Sequence, residues 1–226
     1  MKRPCELRLE GVTLRLGGRP LIGPLELTVP PGTIATLIGE SGVGKSSLLA
    51  YLCGTLPTAF DGAGGVWVGG ADVSSKPAHL RRMGILFQDD LLFPHLSVGQ
   101  NLAFALPAGL RPKAERERRV AQALREAGLE GFAPRDPATL SGGQRARAAL
   151  LRVLLSEPGA LLLDEPFSRL DAVTRRRFRE FVFTRVREAG LPALMVTHDS
   201  EDAAAAGGPV IPLRPAVPSG DLPADM

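Results

Sequence analysis

The chain has 226 residues, 44% of them apolar and 23% charged, enough to bury a sizeable core and close to the globular average, which excludes disordered and fibrous classes. Its 27 Lys and Arg are interleaved with 24 Asp and Glu for a net charge of +3, without the uniform basic stripe of a nucleic-acid binder, so no direct nucleic-acid partner is expected. Two cysteines without CxxC or metal spacing, no leader pattern, and apolar runs far shorter than the roughly 20 residues a bilayer demands predict a reducing cytoplasm and a membrane role only through a partner.

Residues 1–32 alternate apolar and polar in short runs, ELRLEGVTLRL and LIGPLELTV, punctuated by Gly and Pro, the pattern of small antiparallel strands. TIATLIG follows, a continuous buried-strand run that leads into GESGVGKSS and then into KSSLLAYLCG, a short helix pattern closed by Gly54. GAGGVWVGGADV predicts a second hairpin that joins the first strands in a side sheet. MGILFQ, ALLLDE and ALMVTH read as fully buried parallel strands, each ending in a polar residue where such sheets present their sites.

From about 89 to 155 helix patterns replace strands. In AERERRVAQALREAG, Val120, Leu124 and Ala127 recur at helical spacing and Gly128 offers a stop, so an inserted helical subdomain is predicted. In TRRRFREFVFTRVRE, Phe178, Phe181, Val182 and Val186 share one face, which leaves the arginines and glutamates as a solvated face of mixed sign. Past His198 the pattern thins to AAAAGGPVIPLR and then to a Pro- and Gly-rich tail at 215–226, expected to be loose.

Three stretches carry chemistry. GESGVGKS matches G-x-x-x-x-G-K-[ST] between a buried strand and a helix, the context that this phosphate loop requires. Its candidates are Gly39, Glu40, Ser41, Gly42, Val43, Gly44, Lys45, Ser46 and Ser47. Backbone N–H groups of Gly42 to Ser46 would wrap a β-phosphate, Lys45 would bring a mobile charge to the β- and γ-phosphates, and Ser46 would offer Mg²⁺ a hydroxyl. In ALLLDEP, Asp164 suits the Mg²⁺ side through water, and Glu165 suits orienting or deprotonating an attacking water. LSGGQRARAALLR reads as a second anion cradle: Ser141 is a good N-cap, and Gly142 and Gly143 leave N–H groups uncovered at the start of a helix.

These segments in this order, together with Gln88 after a strand, SRLD, and His198 in VTHDS, resemble the nucleotide-binding subunits of ABC transporters from near the start to about residue 214. FQDDLLFPHLSVGQN and LSGGQRARAALLR are most similar to ATPase subunits of bacterial solute importers. The resemblance implies an α/β fold: a P-loop NTPase core with a mostly parallel sheet, an antiparallel β side-sheet and an inserted α-helical subdomain, spanning 1–214. It further implies ATP hydrolysis with Mg²⁺ in a head-to-tail homodimer, where Ser141, Gly142, Gly143 and Gln144 of one copy cover the γ-phosphate bound by the other. Gln88 would touch Mg²⁺ or the attacking water, His198 the γ-phosphate, and Asp171 would lie at the dimer seam.

The implied partners are integral membrane permease subunits, with a solute-binding protein, at the cytoplasmic face of the inner membrane. The alternative is a soluble relative acting in DNA repair or on ribosomes, but the long coiled coils of the former and the paired ATPase units of the latter are not in this sequence. A regulator that barely hydrolyses ATP is disfavoured by the complete pair Glu165 and His198. Leu91, Leu92, Phe93 and Pro94 suit a groove for a permease helix or plain subdomain core equally well. Arg169 stands where many relatives carry a small residue, and a surface or seam ion pair is expected of it. Leu16 stands where the family commonly places an aromatic ring over adenine, so weak base discrimination is expected. With only a short stretch after His198, regulation through a carboxyl-terminal domain is not expected.

Overall fold

A computed structural model describes residues 5–213; the tail expected at 215–226 lies outside the described residues. The first alternating runs form β1 (Leu7–Leu16) and β2 (Arg19–Val29), an antiparallel pair. Register shifts between Leu9 and Val12 keep Leu7, Leu9, Val12 and Leu14 all on the buried side despite the odd spacing. The TIATLIG run is β3 (Ile34–Ile38), followed by the phosphate loop and α1 (Lys45–Cys53). The Gly-rich hairpin is β4 (Phe60–Val68) and β5 (Ala71–Asp72), and the antiparallel sheet has the order β2-β1-β4-β5.

The three other buried runs are β6 (Met83–Leu86), β7 (Ala160–Asp164) and β8 (Ala193–Thr197). With β3 and a short β9 (Val210–Pro212) they form a parallel sheet ordered β6-β7-β8-β3-β9. Between β6 and β7 lie α2 (Val98–Ala105), α3 (Lys113–Glu126) and α4 (Gly142–Leu155). Then α5 (Ala172–Ala189) joins β7 to β8, and α6 (Ser200–Ala206) joins β8 to β9. Neither α6 nor β9 is foreshadowed by the thinning pattern after His198. A three-residue edge strand ending in Pro212 has no period to read, and its pairing with β3 from Thr36↔Val210 to Ile38↔Pro212 supplies what local sequence lacks.

The period of two in the parallel strands divides the core into two layers. Leu37, Leu162 and Leu194 face α1, through Leu48, Leu49 and Leu52, and the antiparallel sheet behind it. Leu161, Leu163 and Met195 face the other way, onto Leu150 of α4 and Phe178, Val182 and Val186 of α5. A separate apolar cluster holds the helical arm together through Leu102 of α2, Val120 and Leu124 of α3, and Leu151 of α4. Because α4 packs in both of these last two clusters, it joins the arm to the sheet.

Two sequence expectations change in α5. Phe183 is buried along with Phe178, Val182 and Val186, whereas Phe181 is only partly buried and packs toward the helical arm, with the guanidinium carbons of Arg147 and Arg185 at 5.8 and 5.3 Å from its ring. Nor are all the arginines of α5 solvated. Arg175 and Arg179 converge on Asp202 of α6, and the same two reach Asp199 and Glu201. A helical wheel sees the four-residue spacing of these arginines but not the acidic first turn of α6 that packs across it.

Candidate nucleotide site

The parallel strands deliver their carboxyl ends to one edge, and β8 acts as the common brace. Gly39 N–H donates to Thr197 O at 3.3 Å and Glu165 N–H donates to Val196 O at 3.0 Å, so the loops after β3 and β7 are both pinned to the strand that carries His198. This is where open parallel sheets bind ligands. The phosphate loop turns into α1 through Gly44, at φ 100°, where a Cβ would come within 2.9 Å of Leu21. Only glycine fits that turn, and it exposes the first N–H groups of α1 to the loop interior.

Lys45 is 6% exposed and spans the loop: Nζ donates to Gly39 O at 2.7 Å and Glu40 O at 2.9 Å and lies 3.5 Å from Glu165 Oε1. Glu165 in turn places Oε2 at 3.0 Å from His198 Nδ1. Its backbone has φ 45°, a left-handed conformation that costs a non-glycine residue about 1–3 kcal/mol. That strain is held by the Val196 contact and by the Ser168 hydroxyl, which donates to Glu165 O at 3.0 Å. Ser46 Oγ donates to Asp164 Oδ1 at 3.1 Å. Burial raises the Asp164 pKa and the neighbouring Glu165 adds to the rise, while the Ser46 hydrogen bond and Lys45 oppose it. Lys45, Ser46, Asp164, Glu165 and His198, scattered over the sequence, thus form one polar network at the sheet edge.

The chemistry of this donor set fits magnesium. The Ser46 hydroxyl and the Asp164 carboxylate are hard oxygen donors, and magnesium commonly takes one or two protein ligands and completes its shell with phosphate and water. No group of three or more His, Cys, Asp and Glu is arranged to hold a metal unaided among the described residues. A cavity of about 280 Å³ opens over the loop, lined by Ser41, Gly42, Gly44, Lys45, Ser46, Ser47 and Glu165 and, on the antiparallel-sheet side, by Leu16, Leu21 and Phe60. Gly39, Glu40 and Val43 line a neighbouring cavity on the loop's other side.

Gln88 and the second cradle sit elsewhere. Gln88, two residues beyond β6, lines a cleft with Asp89, Asp90, Gly142, Arg145 and Arg169. There Arg169 pairs with Asp89, as expected of an ion pair at the surface, and Arg145 Nε meets Asp90 Oδ2 at 3.2 Å. The segment after Gln88 is therefore tied both to α4 and to the SRLD loop. Ser141 N-caps α4 in a reciprocal box: its hydroxyl accepts from Gln144 N–H at 3.4 Å, and Gln144 Oε1 accepts from Ser141 N–H at 2.9 Å. Gly143 packs against α5, where an added Cβ would lie 2.5 Å from Thr174 Cγ2, while Gly142 meets only an ordinary contact with Leu170. None of Ser141 to Gln144 lines the cavity over the phosphate loop of its own chain. Asp171 N-caps α5, accepting from Val173 and Thr174 N–H, a structural duty the sequence does not announce.

Other residues that build the site carry no local signal in the sequence. Asn101, fully buried, accepts from Phe93 N–H at 2.8 Å and donates to Phe93 O and Leu96 O at 3.1 Å each, shaping the loop after Gln88. In that loop Leu92 packs inward, whereas Leu91 and Phe104 of α2 are exposed and Phe93 stacks edge-on against Phe104 at 5.1 Å. Phe60 enters the cavity wall by pairing with Leu16 across β1 and β4; only the strand register could have found it.

The fold and the site together define a P-loop nucleotide-binding domain. Residues 22–168 match the ABC transporter family. The chain is 50% identical over 199 residues to the uncharacterized ABC transporter ATP-binding protein YnjD of Escherichia coli K12, covering 88% of this chain and 91% of that protein. It is 45% identical to the thiamine import ATP-binding protein ThiQ of Jannaschia sp. CCS1, covering 87% and 84%, and 40% identical to the Fe(3+) ions import ATP-binding protein FbpC of Brucella abortus 2308, covering 94% and 59%. The chain thus spans about three fifths of the length of that last relative. It belongs to the ABC transporter family, among the ATP-binding proteins.

Proposed function

We propose that this chain is the ATP-hydrolysing subunit of an ABC importer and that residues 1–214 form its ATP-binding unit, with 89–155 as the helical arm. The observation that carries the reading is the network Lys45–Glu165–His198 beside Ser46–Asp164 at the edge of the parallel sheet. In it Lys45 is placed to exchange its loop carbonyls for phosphate oxygens. Glu165 orients and accepts a proton from the attacking water, and His198 holds Glu165 on one side and faces the γ-phosphate on the other. Ser46 and Asp164 would hold Mg²⁺, with Gln88 approaching from the loop after β6; the ion would neutralise charge on the transferring phosphate.

The second cradle finds its use in a homodimer. The amino end of α4 opens on a different cleft from the phosphate loop of its own chain, so Ser141, Gly142, Gly143 and Gln144 serve a partner's nucleotide, with Asp171 at the seam. Among the described residues no helix is long and apolar enough to cross a membrane. The work of hydrolysis then passes to separate permease subunits, with a solute-binding protein, and the chain sits peripherally at the cytoplasmic face of the inner membrane. The relatives' names cover both thiamine and ferric ions, in keeping with solute choice by the permease rather than by this subunit. The test is Glu165→Gln: with Mg-ATP it should form a stable dimer on size exclusion while losing turnover about 100-fold or more. A variant that stays monomeric at saturating Mg-ATP refutes the shared site.

A further inference from the structure

A second cavity, of about 770 Å³, opens at the edge of the parallel sheet opposite the phosphate loop. Arg82, Gly159 and Leu191 line it from the turns that lead into β6, β7 and β8, so it lies under the amino ends of strands whose carboxyl ends carry the nucleotide site. Val68 at the end of β4 and Ala71 of β5 close it on the antiparallel-sheet side. It shares no lining residue with the cavity over the phosphate loop. Val68, Val73, Leu80, Pro158 and Leu191 give it an apolar floor, with Leu80 54% exposed, and every charged side chain in its wall is a cation: Lys76, Arg81 and Arg82. Arg81 is 7% exposed, and its guanidinium donates only to main-chain carbonyls: Lys76 O at 2.7 Å, Ser74 O at 2.6 Å, and, at the carbonyl end of α1, Tyr51 O at 2.8 Å and Leu52 O at 3.0 Å. Such dipoles solvate the charge without cancelling it, whereas a buried charge is ordinarily paired. Among the described residues none of the three cations makes an ion pair. Asp72, whose carboxylate is taken up by the hydroxyl and N–H of Ser74 at 2.6 and 2.8 Å, does not line the cavity. The turn that presents Arg82 is left-handed, at φ 55°, and is closed by Gly159 N–H donating to Arg82 O at 2.7 Å.

We infer that this cavity binds a small amphiphilic anion, an apolar chain of medium length that ends in one carboxylate, with the chain on the apolar floor and the carboxylate toward Lys76, Arg81 and Arg82. The volume suits such a ligand, since small-molecule pockets run about 300–1,000 Å³ and are mostly apolar with a few polar groups that fix orientation. A polyanion such as a nucleotide would leave the apolar floor unused. A neutral chain would leave three cations without a counterion. One anionic head on an apolar body satisfies both halves of the wall, because each buried methylene gains from leaving water while the head supplies the charge that the protein does not.

The experiment is isothermal titration calorimetry of the full chain with octanoate, decanoate and 1-octanol, in the parent and in the double variant Lys76→Gln, Arg82→Gln. Decanoate should bind the parent about 10-fold more tightly than octanoate, for two further methylenes, and 1-octanol should bind about 10-fold or more weakly than octanoate. The double variant should lose about 10-fold or more for decanoate while melting within about 2 °C of the parent, because glutamine keeps the Lys76 and Arg82 carbonyls that Arg81 and Gly159 use. Saturating Mg-ATP should leave decanoate affinity unchanged. Cys5 lines the cavity and Cys53 is buried, so N-ethylmaleimide reads Cys5 in the native protein. Decanoate at ten times its dissociation constant should slow that modification about 10-fold. No binding at about 1 mM decanoate, equal affinity in the double variant, or equal affinity for 1-octanol and octanoate overturns the assignment. Displacement of decanoate by Mg-ATP, or an unchanged rate at Cys5, places the anion elsewhere and overturns it as well.

Discussion

Replacing Asp202 by Asn tests whether the loop that carries His198 is held in place by the arginines of α5. Asp202 is 2% exposed and accepts from Arg175 Nε at 3.2 Å, from Arg175 Nη2 and from Arg179 Nη1 at 3.0 Å. Removing one member of a buried ion pair costs about 3–5 kcal/mol, because the surviving charge is left without its partner. Here the survivors keep company: Arg175 retains Asp199 at 2.7 Å, and Arg179 retains Glu201 at 3.0 Å. Asparagine can also still accept one hydrogen bond. The expected loss is therefore about 2–3 kcal/mol, below the full cost of an orphaned charge.

In a chain of this size each kcal/mol moves Tm by about 2–4 °C, so the variant should melt about 4–12 °C below the parent by circular dichroism. Asp199 links the cluster to the site, since it precedes α6 as its N-cap and adjoins His198. In the ATPase assay kcat should accordingly fall more than KM rises, as His198 loses its support while the phosphate loop is untouched. A variant that melts within about 1 °C of the parent, outside the range expected for a buried ion pair, would refute the claim that these arginines anchor α6.

Two further outcomes follow from titratable groups. Burial pushes the Cys53 thiol up to about 11 against the opposing pull of Arg81, so at pH 8 only about one molecule in a thousand carries the thiolate. A thiol reagent at pH 8 should modify Cys53 only at the rate of unfolding, with urea releasing it; rapid labelling of Cys53 in the native protein contradicts its burial. For Asp199, burial works to raise the pKa, but the N–H groups of Asp202 and Glu201 and the Arg175 guanidinium outweigh it and hold the carboxyl below the ordinary value of 3.8. A lowered folded-state pKa means that the carboxylate's contribution is complete above the unfolded value and lost as pH falls through the folded one. The stability gap between the parent and Asp199→Asn should then narrow as pH drops below about 4 in urea titrations. A gap that stays constant down to about pH 2 would mean that the charge of Asp199 contributes nothing.

The buried strands were legible because burial on both faces writes itself as a continuous apolar run, as in ALLLDE and ALMVTH, and because each run ends where backbone pairing ends. The phosphate loop was legible for a related reason: a turn that binds through its backbone permits few residue types, and GESGVGKS states them in order. The cap at Ser141 is equally local, since its partner Gln144 lies one helical turn away.

Other features depend on residues far apart in sequence. Arg175 and Arg179 read as a solvated face until α6 brings Asp202 against them. Phe60 reads as the start of a strand until β4 pairs with β1 and sets it opposite Leu16. β9 exists only because β3 offers it an edge. Which polar groups each strand end can offer is readable from the chain, since backbone geometry and residue type are local properties. Tertiary structure alone decided which of those ends meet and which side chains close around them, because contacts between distant segments follow from sheet order and register, and neither leaves a periodic mark on the chain.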